Sequence, residues 1–188
     1  MNKEKIQNMV LCAMFAALIA IGAFIRIPIP FIPFTLQVTF TTLAGYILGS
    51  KKSMISVLVY VFTGLIGLPV FTSGGGPSYI LKPTFGYLIG FVIGSYITGK
   101  ITEKSSTISY RRLLFAGLVG LASVYVIGIV YCYLISRYYL RTDTTMWQVF
   151  VSGFLLVAPG NIAFTFVAAY VAKRLIPILN RRKANAVN

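Results

Sequence analysis

Long stretches of this chain run without a charged side chain, among them Ile6 to Ile25, Leu113 to Ile135 and Val149 to Ala172, each of twenty residues or more. Wound as helices at about 1.5 Å per residue, each is long enough to cross a hydrocarbon core of roughly 30 Å. Only 11% of the 188 residues are charged and 57% are hydrophobic, where a soluble domain carries about 25% charge. The chain is expected to be an all-α integral membrane protein. Lys3 and Lys5 ahead of the first run resemble the start of a signal peptide. That run is long, lacks a small-x-small cleavage site and is followed by further spans, so it reads as a true first helix.

The net charge is +14, which on a soluble chain would point to nucleic acid. Here the placement of charge points to membrane orientation and not to nucleic acid. Six spans are expected, at about 6–25, 37–50, 53–68, 84–99, 112–136 and 147–176. Thirteen of the seventeen basic residues then fall on one side; Arg26, Lys82, Arg137 and Arg141 fall on the other. The positive-inside rule puts both termini in the cytoplasm. Cys12 and Cys132 both fall inside spans and are expected to be unpaired packing residues.

A single domain over residues 1–188 is expected, because no polar segment is long enough to fold separately. The second, third and fourth spans are short: 16 residues from Ser53 to Leu68 reach only ~24 Å. They need help from the adjoining outer segments. One of these, "RIPIPFIPFTLQ" (26–37), holds prolines at 28, 30 and 33, which forbid a regular helix and favour an extended apolar strip. The other, 69–83, contains three consecutive glycines and Lys82. Both lie on the outer side, where they can meet.

Glycines at 86, 90 and 94, and at 45 and 49, recur every fourth residue, the spacing at which helices in lipid pack closely. In the first span Ala13 and Ala17, then Ala16 and Ala20, form a smooth stripe. It seats either another helix of the chain or a separate membrane partner.

Function is narrowed further by absences in the sequence. There is no histidine, and the three acids Glu4, Glu103 and Asp143 fall at expected helix ends or loops. Ion-coupled carriers normally place ionisable groups within the membrane. Neither a zinc site nor a Ser/His pair is available, and no GxxxxGK[ST] phosphate loop occurs. A transporter built on this chain must borrow its energy, or else it is a passive channel or a binding subunit. Two polar residues stand out. Gln37 opens the second span, and Asn161 follows Pro159-Gly160 deep in the sixth. Pro159 is expected to break that helix and leave Asn161 in the first turn of a half-helix. There it either caps its own helix or faces a ligand with free N–H groups beside it.

"PFTLQVTFTTLAGYILG", "GLIGLPVF", "GGGPSYILKPTFGYLIGF" and "APGN" together resemble the BioY family, the biotin-binding S-components of energy-coupling-factor (ECF) transporters. The likeness covers about residues 10 to 176. It implies the S-component fold, a role in the prokaryotic cell membrane, and no enzymatic activity, cofactor or metal. It further implies docking, through the alanine stripe at 13, 16, 17 and 20, onto a transmembrane coupling protein linked to two cytoplasmic ATPases. The substrate site implied comprises Gln37, Gly74, Gly75, Gly76, Tyr79, Lys82, Thr84, Tyr87, Asn161 and Phe164, with the glycines as a hinged lid.

Two departures from the family pattern bear on the ligand. Where the family usually reads GPTGGY, this chain has Lys82-Pro83-Thr84-Phe85-Gly86-Tyr87. Where it reads PGDxxK, this chain has Asn161 for the acid and Phe164 for the lysine. An amide both donates and accepts where a carboxylate only accepts. Lys82 is either a replacement cation for a ligand carboxylate or a solvated lysine. Biotin and a related carboxylate cofactor such as lipoate both remain as ligands. A stand-alone facilitator and a structural subunit without a ligand remain as other classes.

Overall fold

A computed structural model describes residues 3–28, 32–103 and 109–185, without the side chains of residues 3, 4 and 180–185. Ile29–Phe31, and with them Pro30 of the proline strip, lie outside the described residues, as does Lys104. The chain is largely helical: α1 Lys3–Phe24, α2 Gln37–Leu48, α3 Ser50–Leu65, α4 Phe85–Glu103, α5 Tyr110–Leu134, α6 Met146–Phe150 and α7 Ala158–Asn185. Two short strands, β1 Arg26–Ile27 and β2 Phe34–Thr35, pair antiparallel between α1 and α2. Lys5–Phe24, Tyr110–Tyr139 and Met146–Leu179 are long and apolar enough to cross a membrane.

Several boundaries differ from those expected. The second and third helices are not separated by a turn at Lys51 and Lys52; they meet at Gly49 alone, whose φ of +78° turns the chain in one residue. Lys51 and Lys52 therefore belong to the first turn of α3. The carboxylate of Glu103, at the end of α4, accepts from Ser50 N and Ser50 Oγ, both at 2.7 Å. It thus occupies the amide-rich, electropositive start of α3. Gly49 is a hinge and not a rung of a packing ladder. The fourth helix is not short: α4 has 19 residues.

The expected sixth helix is two. α6 passes into a π-helical turn, Val151–Leu155, and the chain breaks at Leu156–Val157 before α7. Pro159 is the second residue of α7, where a missing N–H costs nothing. α5 likewise ends in a π-helical turn, Ile135–Tyr139.

α4 packs against α2, α3 and α5, and α2 also touches α1, α3 and α7. The seam between α4 and α5 is made by the glycine ladder. A Cβ added at Gly90 would lie 2.9 Å from the Val124 backbone, and one at Gly94 2.8 Å from Gly120 O. Such approach lets dispersion forces hold the helices where lipid offers no hydrophobic drive. One apolar cluster, with Tyr60, Phe71, Tyr79, Tyr87 and Tyr125, surrounds the site; a second, with Tyr46, Leu113, Ala168 and Ala172, joins α2, α5 and α7.

Candidate functional site

Between the β1–β2 hairpin and the glycine-rich segment lies a cavity of about 580 Å³, counting its open mouth. Its wall is assembled from six parts of the chain. The hairpin side contributes Ile32, Pro33 and Thr35; the start of α2 contributes Gln37 and Val38. The 69–84 segment gives Thr72, Ser73, Tyr79 and Thr84, and α4 gives Tyr87, Leu88 and Phe91. Val124 and Tyr125 of α5 and Val157 and Asn161 at the α6–α7 break close the far side. Every one of these residues is neutral, so the cavity reads a ligand by shape and hydrogen bonds.

The Gln37 side chain is buried and hydrogen-bonded through both its oxygen and its nitrogen. Its Oε1 accepts from Thr35 Oγ1 at 3.1 Å and from Thr72 Oγ1 at 3.2 Å, and its Nε2 donates to Tyr60 OH. Tyr60 OH in turn donates to Val70 O at 3.2 Å. One amide thus ties the hairpin, α3 and the glycine-rich segment into a single floor. The two outer segments meet again where Arg26 Nη1 donates to Thr72 O.

Asn161 differs. It is 3% exposed, and its Nδ2 donates to Tyr125 OH at 2.8 Å, while its Oδ1 is buried without a hydrogen-bond partner. A buried acceptor left unpaired costs about 1–3 kcal/mol, so a hydrogen-bond donor brought to this oxygen is favoured. The helix break sets Asn161 in this position. Asn161 N makes the first full-turn bond of α7, to Val157 O at 3.2 Å, which holds the side chain at the mouth of the half-helix.

Tyr87 sits across the cavity with its hydroxyl donating to Gly153 O at 3.2 Å. That carbonyl lies in the π-helical turn, and a Cβ at Gly153 would collide with the Tyr87 hydroxyl. The bulge and the glycine together make room for the phenol.

Of the residues expected at the site, Gln37, Tyr79, Thr84, Tyr87 and Asn161 line the cavity. Lys82 stands behind its rim: Nζ donates to Ser73 O at 2.9 Å and lies 4.7 Å from the centre of the Tyr79 ring. Phe164 points elsewhere and packs on Phe34 at 5.8 Å. The three glycines also lie off the wall. Gly74 and Gly76 have φ of +105° and +101°, and Gly76 N donates to Gly64 O at 2.7 Å. A Cβ at Gly75 would strike Leu68 O. Their work is to fold the segment tightly onto the end of α3, not to approach a ligand. On α1, Ala13 and Ala17 are exposed, whereas Ala16 and Ala20 face inward against the chain's own core. The stripe is therefore two faces, and only one is open to a partner.

Sequence reasoning missed Tyr125, Thr35, Thr72 and Ser73. For Tyr125 there was a signal: it is a polar-tipped ring in the middle of the charge-free Leu113–Ile135 run.

A bundle of membrane-length apolar helices enclosing one neutral, partly polar cavity near one end is the design of a membrane-embedded solute-binding transport subunit. The comparisons narrow that class. The BioY family model matches residues 1–181. The probable biotin transporter BioY of Lysinibacillus sphaericus is 38% identical over 184 residues, covering 98% of this chain and 94% of that one. The biotin transporter BioY of Thermotoga maritima is 35% identical over 170 residues, with 90% and 95% covered. Among solved structures, the S-component for biotin from an ECF-type ABC transporter superimposes with a TM-score of 0.82 at 27% identity, over 93% of each chain. The chain belongs to the BioY family, and it is a transport component and not an enzyme.

Proposed function

We propose that this protein captures biotin from outside the cell and hands it to a separate ATP-driven module. The observation that carries the choice of ligand is the unpartnered Oδ1 of Asn161 in an otherwise neutral cavity. A ureido N–H donates to that oxygen. The dithiolane ring of lipoate has no donor to offer and would leave the oxygen buried and unpaired, at about 1–3 kcal/mol. The apolar wall of Leu88, Phe91 and Val124 suits the rest of the bicycle and the valerate chain. At the rim, Lys82 and Arg26 supply cations for the carboxylate; each now donates to a backbone carbonyl, of Ser73 and Thr72 respectively.

In this reading the chain crosses the plasma membrane six times, the α6–α7 pair forming the sixth crossing, with both termini in the cytoplasm. The support is the distribution of cations, thirteen to four. The exposed Ala13 and Ala17 present a smooth ridge for a transmembrane coupling protein, which links to two cytoplasmic ATPases. Equilibrium dialysis of the detergent-purified chain with labelled biotin tests the assignment. Saturable binding displaced by unlabelled biotin and not by lipoate is expected; equal displacement by lipoate would refute it.

A further inference from the structure

The contact between Tyr125 and Asn161 fixes more than the position of one amide. We infer that the two side chains form a single reading pair, in which Asn161 Oδ1 accepts from a ring N–H and the Tyr125 hydroxyl donates to the adjacent carbonyl. This inference rests on the biotin reading above and specifies which ligand atoms the two residues meet.

A phenol has one proton and can also accept. Tyr125 OH accepts from Asn161 Nδ2 at 2.8 Å, and among the described residues its own proton has no hydrogen-bond acceptor. Both residues line the cavity. One of the two Nδ2 hydrogens goes to the phenol, and Oδ1, the amide's acceptor atom, is unpartnered. The cavity therefore holds an acceptor and a donor side by side. A cyclic urea carries the complement, an N–H next to a C=O.

The pair is held rigidly. Tyr125 is 5% exposed. Its ring is met edge-on by Phe154 at 4.9 Å and by Tyr87 at 6.5 Å. Asn161 is fixed from its backbone side by the first turn of α7. The pair also accounts for an amide serving where the family pattern has a carboxylate. Tyr125 engages one amide hydrogen, and Oδ1 supplies the acceptor for the ligand.

Calorimetric titration of the full-length, detergent-purified protein with biotin and with 2-iminobiotin tests the pair. The imino form keeps the ring N–H groups but replaces the carbonyl acceptor. Tyr125→Phe should weaken biotin about tenfold, the size of one lost hydrogen bond, and weaken 2-iminobiotin far less. Equal losses for both ligands, or none for biotin, would overturn the inference, since a purely structural role moves both alike. Failure of the unmodified protein to bind biotin would refute the ligand reading itself, a result distinct from either.

Discussion

Gln37 donates its side-chain Nε2 to the hydroxyl of Tyr60, 23 residues away, and so anchors the start of α2 to the middle of α3. The same side chain holds Thr35 and Thr72 through Oε1. Gln37 thus acts as a fastener for the cavity's outer segments, bonded within the protein through both its oxygen and its nitrogen.

Gln37→Leu should therefore lower stability as well as affinity. It leaves the Tyr60, Thr35 and Thr72 hydroxyls short of a partner in a buried setting, a loss of about 1–3 kcal/mol. A thermal unfolding scan in detergent, without ligand, should show a lower midpoint. An unchanged midpoint with weaker binding would mean that Gln37 serves the ligand alone.

The three glycines should respond differently to alanine. Gly75→Ala drives a Cβ into Leu68 O, a backbone atom that cannot step aside. Gly74→Ala has open space but keeps a φ of +105°, a strain of about 1–2 kcal/mol for an L-residue. Gly75→Ala should be the more destabilising in the same scan, and the reverse order would contradict the described turn.

On α1 the two alanine faces should separate cleanly. Ala13→Trp and Ala17→Trp, on the exposed face, should leave biotin binding intact and abolish uptake by cells that carry the coupling module. Ala16→Trp places an indole where the side chain is 7% exposed. Overpacking costs about 1–3 kcal/mol or more, and the protein should fail to accumulate. Loss of binding in Ala13→Trp would reassign that face to internal packing.

Much of this architecture was legible because membrane physics writes itself plainly into sequence. Charge-free runs mark α1, α5 and the α6–α7 pair, and the glycine ladder at 86, 90 and 94 marks the α4–α5 seam. Pro159 announced the broken last helix and Asn161 the polar atom beside it. What stayed hidden depends on contacts distant in sequence. The α2–α3 joint at Gly49 is stabilised by Glu103, 53 residues beyond Ser50, so Lys51 and Lys52 looked like a turn. The three glycines were drawn toward the ligand by their place in a motif. Positive φ at Gly74 and Gly76 and the close approach of Gly75 to Leu68 O instead fold the segment onto the end of α3. Tyr125 escaped because a phenol inside an apolar run looks like packing until its partner is known.

The central claim is that Asn161 presents a buried acceptor to biotin, and one titration addresses it directly. Isothermal calorimetry should show one biotin bound per unmodified chain. Asn161→Leu should weaken that binding by at least about tenfold, as expected for the loss of one buried hydrogen bond, in a variant that still unfolds in one cooperative transition. Biotin binding of equal strength in the Leu variant would contradict the account.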